Sequence, residues 1–370
     1  MAATKRPKFQ SSSQDKSKNI SNESKNDASE SYISSIVRKV LILLGILLAL
    51  KVVITWKYYD DFGNVAQESR IHEQYLTKLK SKKIDKICAP EDEKRCYTVT
   101  DVYGLDNDRK FLVRRILSPE KFPSTLSSLA TLKTPESWKN LEFSKKSKRL
   151  FPLQLAVPFF MEAMSFDPKI QKKALMIGLG GGVASNFYTH FADEINLETT
   201  VVEIDGIYGE IAKKWFGYLD HPKLKLVIDD GVNFIKKERE DGNKYDTIIL
   251  DACNENKNLN IICPCKAFMV ESAIEDLSHI LTDNGILSVN VFTKHPDESN
   301  PKVLETYKKF FKSCFLLAYT YANPNHRLFE ALICSNRPNW TWDRKKLQFV
   351  KHFKQVDEKF DFGLDKFIVY

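Results

Sequence analysis

The chain has 370 residues, a formal net charge of +8, seven cysteines and seven histidines. No basic run is interleaved with aromatic residues, so nucleic acid is not an expected partner. The histidines are scattered and Cys263-Pro-Cys265 is not a metal-ligand spacing, so no metal site is expected, and the absence of any Gly-Lys-Ser/Thr argues against a P-loop ATPase.

Residues 1–36 are rich in Ser, Lys and Asn and poor in apolar residues. Such a segment cannot bury enough surface to offset its ordering entropy, and a disordered tail is expected. Val40 to Leu50 is then strongly apolar, and after Lys51 the pattern continues through Val52 to Trp56. As a helix these 17 residues extend about 25 Å, slightly short of the roughly 30 Å hydrocarbon core. Arg38, Lys39 and Lys57 flank the run, Trp56, Tyr58 and Tyr59 suit an interface, and Lys51 can snorkel. Residues 37–57 are therefore expected to form a single-pass transmembrane helix, with the protein held at a membrane. A signal peptide is disfavoured because its charged region would not be nearly 40 residues long.

Residues 58–94 read as a polar linker that includes the basic run Lys78-Leu-Lys-Ser-Lys-Lys83. Such a run is usually a solvated face, although it also suits anionic lipid or an acidic partner. Cys88 and Cys96 suit a bridge in an oxidising space and equally suit two free thiols. Tyr97 to Val102 and Phe111 to Leu117, split by Gly104-Leu-Asp-Asn-Asp108, read as a β-hairpin within a small β-rich subdomain over residues 95–150.

Residues 151–370 read as a catalytic α/β unit. Ala174-Leu-Met-Ile-Gly178-Leu-Gly180-Gly181-Gly182 is a buried strand running into a glycine turn, and Val201-Val-Glu203 is a second strand ending in a carboxylate. Glycines let a backbone pass close to a ligand where a Cβ would clash, and a carboxylate at this place suits the two hydroxyls of a ribose. Val183 stands where a dinucleotide fingerprint needs glycine or alanine, which weakens the case for NAD. S-adenosylmethionine carries no pyrophosphate, and the Gly-x-Gly-Gly-Gly form suits it best. A bare strand-to-helix turn is the alternative that this motif alone leaves open.

Lys223 to Ile228 reads as a third strand, followed by Asp229-Asp230-Gly231 and a helical run from Val232 to Glu238. Tyr245 to Leu250 reads as a fourth, ending at Asp251, and Leu287 to Phe292 as a fifth, after the turn Thr282-Asp-Asn-Gly285. Strands alternating with helices indicate a parallel sheet with its ligand beyond the carboxyl ends of the strands. Glu203, Asp230 and Asp251 all stand at such ends, although an aspartate after a strand is often only a helix N-cap, a reading that applies above all to Asp229. Phe315 to Tyr321 and Leu328 to Cys334 flank Ala322-Asn-Pro-Asn-His326 and read as a terminal antiparallel hairpin. Residues 341–356 read as an amphipathic helix packing on the sheet.

From about Leu153 to Asn336 the chain resembles the class I methyltransferases of the spermidine-synthase-like branch, and within it the family of methyltransferase-like protein 13 C-terminal domains. The resemblance is carried by Gly178-Leu-Gly-Gly-Gly182, Val202-Glu-Ile-Asp205, Ala212-Lys-Lys-Trp-Phe-Gly217, Asp230-Gly231, Asp251 and Cys263-Pro-Cys-Lys-Ala-Phe268. It implies a seven-stranded Rossmann-like sheet with a terminal antiparallel hairpin, a small N-terminal β subdomain over the active site, and S-adenosyl-L-methionine as cofactor. Gly178, Gly180, Gly182 and Gly231 would line the donor, Glu203 would hold its ribose, and Asp230 would accept from its adenine amino group. Asp251 would face the transferring group, either as the catalytic carboxylate that receives the acceptor's proton or only to orient the donor's ammonium group. The acceptor implied is an amine on a protein, an N-terminal amino group or a lysine, or a small amine; homodimers are common in this branch.

Spermidine synthase is the sharpest rival. Its Gly-Gly-Gly-Asp-Gly motif places an aspartate where this chain has Gly181, and its Asp-Ser-Ser-Asp-Pro becomes Asp251-Ala-Cys-Asn254-Glu255. Two carboxylates expected of a polyamine pocket are thus not in place. An inactive, adenosyl-binding member is the third reading. Arg38 and Lys39 against Asp60 and Asp61 favour a cytosolic N-terminus and so a luminal or extracellular catalytic unit, whereas the donor is made in the cytosol; the side stays open. Asn339-Trp-Thr341 is the one glycosylation sequon in the part expected to fold, and sequons also occur by chance.

Overall fold

The computed structural model describes residues 23–105, 109–123, 127–132, 151–218, 220–254, 256, 258–318, 330–360 and 362. The chain divides into two units, Met1–Glu73 and Gln74–Tyr370.

The first unit is helical. Helix α1 runs Glu23–Gln74, so residues 23–36, expected to be disordered, are part of a helix; residues 1–22 lie outside the described residues. Among the described residues no helix is long and apolar enough to cross a membrane. The single transmembrane helix expected over residues 37–57 and the membrane localisation drawn from it are thereby corrected. The uninterrupted apolar run lies between Lys39 and Lys51 and spans 11 residues, about 16 Å of helix against a hydrocarbon core of roughly 30 Å. The expectation had joined the segments on either side of Lys51 into one span.

The second unit begins with one π-helical turn, Tyr75–Leu79, and a four-stranded antiparallel sheet: β1 (Ser81–Ala89), β2 (Asp92–Leu105), β3 (Phe111–Pro119) and β4 (Ser128–Leu132), in that spatial order. The expected hairpin is β2–β3, with Asp101 opposite Arg115. Strand β1 starts inside the stretch read as linker. Its exposed first three residues, Ser81-Lys-Lys, hide the alternation that marks a strand. Tyr97, Val99, Val113 and Leu117 form the core of this sheet and pack with Ile207, Ile211 and Phe216 of the larger domain.

The larger domain runs α2 (Phe151–Phe160), β5 (Lys172–Ile177), α3 (Val183–Phe191), β6 (Leu197–Glu203), α4 (Gly206–Trp215), β7 (Leu224–Ile228), α5 (Gly231–Glu240), β8 (Tyr245–Leu250), β9 (Ile261–Cys263), α6 (Glu271–Ile280), β10 (Leu281–Thr293), α7 (Pro296–Lys308), β11 (Ser313–Ala318), β12 (Glu330–Ser335) and α8 (Trp342–Phe360). The main sheet has the order β11-β12-β10-β8-β5-β6-β7, with β9 paired to β10 off this path. Strands β10, β8, β5, β6 and β7 are parallel, and β12 and β11 join antiparallel. This is the expected α/β sheet with its terminal hairpin; the link around Ala322–His326 lies outside the described residues.

The parallel strands read as continuous apolar runs because both sheet faces are covered. One face carries Met176, Val201 and Ile249 against α2, α3 and α8; the other carries Leu175, Ile177, Ile248 and Leu250 against α5 and α6. The expected C-terminal helix is α8, whose buried Trp342, Phe349, Val356 and Phe360 fall at helical spacing. Phe360 packs edge-on to Phe159, Phe166 and Phe187. Strand β10 begins at Leu281, and Thr282–Gly285, read as a turn, is taken up as an irregularity in its pairing with β8.

Candidate active site

Three backbone hydrogen bonds gather the carboxyl ends of the central strands. Gly178 N donates to Val202 O at 2.8 Å, Asp251 N to Ile177 O at 2.9 Å, and Asp229 N to Glu203 O at 3.0 Å. The glycine turn, Glu203, Asp230 and Asp251 are therefore brought to one edge of the sheet. Gly178 has φ +100, and a Cβ there would lie 2.6 Å from the Asp251 carbonyl oxygen, so only glycine allows the turn to pass this close to the strand end that carries Asp251. Gly180 and Gly182 also have positive φ. On the outer side of the turn, a Cβ on Gly180 would meet Ser127 O at 3.0 Å and one on Gly181 would meet Ser128 Oγ at 2.8 Å. The N-terminal sheet thus borders the glycine turn through the start of β4.

Glu203 is buried. It accepts from Leu179 N at 2.8 Å and Asp205 N at 3.1 Å. Burial pushes its carboxyl above the usual range, against the hydrogen bonds from the backbone, and the Asp205 charge adds to the rise. Asp205 N-caps α4 through Ile207 N, accepts from Tyr97 Oη at 3.2 Å and pairs with Arg95 at 3.4 Å. Asp230 N-caps α5, accepting from Val232 N and Asn233 N. The N-cap role weighed for Asp229 therefore falls to Asp230, while Asp229 Oδ1 accepts from Asp230 N. Gly231 sits so close to Ile177 and Phe268 that a Cβ would approach each to 2.9 Å.

Burial pushes the Asp251 carboxyl up to about 6; a hydrogen bond from Asn290 opposes the rise and the Glu203 charge adds to it. Asn290 Nδ2 donates to Asp251 Oδ1 at 2.7 Å, and Asn290 Oδ1 is buried with no partner. Sequence reasoning missed Asn290. The available signal was the alternation Ser288-Val-Asn290-Val at the carboxyl end of β10, which puts two polar side chains on one sheet face. Ile286 shares that face, on which α2 packs, and α2 carries the fully buried Gln154, whose amide atoms are also unpartnered. An unpartnered buried acceptor next to a raised carboxylate suits a donor supplied by a ligand. With the glycine cradle and the buried carboxylate of Glu203, these residues fit an S-adenosyl donor. Among the described residues there is no group of three or more ligand-type side chains that could hold a metal.

This strand order, with a glycine turn after the first strand of the main sheet and acidic residues at the next strand ends, is that of a class I methyltransferase fold. Residues 161–339 match the spermine/spermidine synthase domain. The eEF1A lysine and N-terminal methyltransferase of Xenopus laevis is 27% identical over 193 residues, 52% of this chain and 26% of that protein. The polyamine aminopropyltransferase of Vibrio vulnificus is 26% identical over 164 residues, 44% of this chain and 50% of that protein. Human methyltransferase-like protein 13, solved in complex with SAH, is 24% identical with a TM-score of 0.45, covering 55% of this chain and 88% of that one. This chain thus spans about a quarter of the Xenopus relative and half of the bacterial one.

Proposed function

We propose that this protein is an S-adenosyl-L-methionine-dependent methyltransferase whose acceptor is a protein amine, an N-terminal amino group or a lysine. The Asp251–Asn290 pair carries the reading. The sulfonium donor, when bound, supplies an already activated methyl group, so the protein's work is alignment and proton removal. An amine attacks only as the free base. Asp251, raised to about 6, is ionised at neutral pH and basic enough to take up that proton. Asn290 holds the carboxylate through Nδ2 and leaves Oδ1 to accept a second N–H of the amine. Glu203 and the glycine turn hold the donor beside them. The name of the Xenopus relative, with its lysine and N-terminal acceptors, supports the amine class.

Aminopropyl transfer is the second reading, favoured by the matched domain and the Vibrio relative. Two observations weigh against it. A Cβ on Gly181 would meet Ser128 Oγ at 2.8 Å and the Phe216 ring at 2.9 Å, so the aspartate of spermidine synthases has no room there. Asn254 is occupied within its own loop, donating to Ile262 O through both N and Nδ2. Calorimetric titration with S-adenosylmethionine and its decarboxylated form, followed by methyl transfer to protein and peptide amines, tests the choice. Tighter binding of the decarboxylated donor would overturn the proposal.

A further inference from the structure

Six of the seven cysteines close into three disulfides, Cys88–Cys96, Cys253–Cys263 and Cys314–Cys334, leaving Cys265 as the free thiol. The three pairs arise at separate places in the fold. Cys88 opposes Cys96 across β1–β2, and Cys314 opposes Cys334 across β11–β12, in two different sheets. The third bridge ties the loop after β8 to β9. Its Cys253 Sγ lies 3.7 Å from Asp251 Oδ1, so the oxidised form is the one in which the site loop is held. Disulfides persist in oxidising compartments and are rare where thiols are kept reduced, as in the cytosol.

A second feature is independent of the cysteines. The sequon Asn339-Trp340-Thr341 falls in the turn between β12 and α8, where Asn339 is exposed and has φ 58. Trp340 is folded against the domain: its indole N–H donates to Met161 O at 3.1 Å and Arg337 lies 3.9 Å over its ring. The turn therefore presents Asn339 to solvent, where a bulky glycan meets no packing.

We infer that this chain matures in an oxidising, N-glycosylating compartment, that Asn339 is its modified residue, and that the amine it methylates belongs to a protein of that compartment and not of the cytosol. The last clause rests on the methyltransferase reading above. Each bridge forms by exchange with an oxidant disulfide, which takes up two electrons and two protons as a dithiol. At Asn339 the side-chain amide nitrogen bonds to the anomeric carbon of a lipid-linked oligosaccharide, loses a proton, and the lipid diphosphate leaves. The adenosyl donor must then be carried into the compartment.

The test uses the full chain expressed in cultured animal cells, alkylated at lysis without reductant and mapped by mass spectrometry. The expected map has three disulfide-linked peptide pairs with Cys265 alone alkylated, and an endoglycosidase-sensitive mobility shift that shrinks by one glycan in Asn339→Gln. The variant separates Asn339 from the sequons at Asn19 and Asn22. Seven alkylated cysteines overturn the inference, as does an unmodified Asn339 in material with all bridges closed. Titration of the same preparation with S-adenosylmethionine separates the two proposals. Binding by a protein with free thiols leaves the methyltransferase reading standing and removes the compartment. Closed bridges and a glycan without binding support the compartment and remove the acceptor clause.

Discussion

Asn290 reaches across from β10 to the end of β8 and donates to Asp251 Oδ1 at 2.7 Å, the bond that opposes the rise of a carboxyl otherwise driven up by burial. The sign follows directly. Asp251 accepts a proton from an amine only when ionised, so kcat/KM should fall as pH drops below about 6 and level off above it. In Asn290→Ala the ionised form loses its hydrogen bond, and the acid limb should move to higher pH. Asp251→Asn should lower kcat by about 10²–10⁴ while donor binding changes little. A pH profile of kcat/KM for the three proteins checks this. An acid limb that stays in place in Asn290→Ala would show that the pair is only structural.

Glu203 should matter to donor binding. Its two backbone hydrogen bonds hold the carboxylate at the turn, and burial makes its charge costly unless a ligand shares it. Loss of hydrogen bonds to a charged group costs about 1.5–3 kcal/mol each. Glu203→Ala should therefore weaken S-adenosylmethionine by at least about tenfold, measured by calorimetry, with Glu203→Gln between it and the wild type. Because burial raises this carboxyl in the fold, the unfolded chain ionises first. Stability of the unliganded protein should decline as pH rises from about 4.5 through the folded value. Glu203→Gln should reduce this dependence while leaving in place the decline contributed by Asp251, which is also raised in the fold.

The fold of the α/β sheet, and the gathering of the glycine turn and the strand-end carboxylates, were legible because their signals are local. A glycine turn, an apolar run and a terminal carboxylate lie within a few residues of one another, as in Ile177 to Gly182 or Val201 to Glu203. Asn290 was not legible because its role is set by pairing with a strand 39 residues away. The disulfides were hidden likewise: Cys314 and Cys334 meet only once β11 and β12 are in register. Asp229 and Asp230 could not be separated by sequence, since either can cap a helix and only backbone dihedrals choose. The anchor expectation failed at Lys51, where hydropathy was carried across a charge that divides the run.

Gly181 stands where the spermidine-synthase motif has an aspartate, and the proposed methyl transfer is tested there. Its side is closed by Ser128 Oγ and the Phe216 ring, so Gly181→Asp should create no polyamine activity. Overpacking of this kind typically costs about 1–3 kcal/mol, and donor binding should weaken with it. Thermal unfolding and an aminopropyl transfer assay on the variant read both effects. Gain of aminopropyl transfer without loss of stability would reverse the assignment of the fold's chemistry.

Asp101 and Arg115 face each other across β2–β3 and are both almost fully buried. Arg115 makes a two-pronged contact, Nε to Oδ1 and Nη2 to Oδ2, each 2.8 Å, and its Nη1 donates to Trp215 O at 3.1 Å at the end of α4. One pair thus braces the N-terminal sheet and fastens it to the larger domain. Asp101→Ala leaves a buried guanidinium without its carboxylate and should cost about 3–5 kcal/mol, whereas Asp101→Leu combined with Arg115→Met, which removes both charges, should cost much less. Denaturant unfolding of the three proteins checks the difference. Because the start of β4 borders the glycine turn, a loosened sheet should also raise the donor Kd. Donor binding should therefore recover in the double variant together with stability. An unchanged Kd in Asp101→Ala would confine the sheet to a purely structural role.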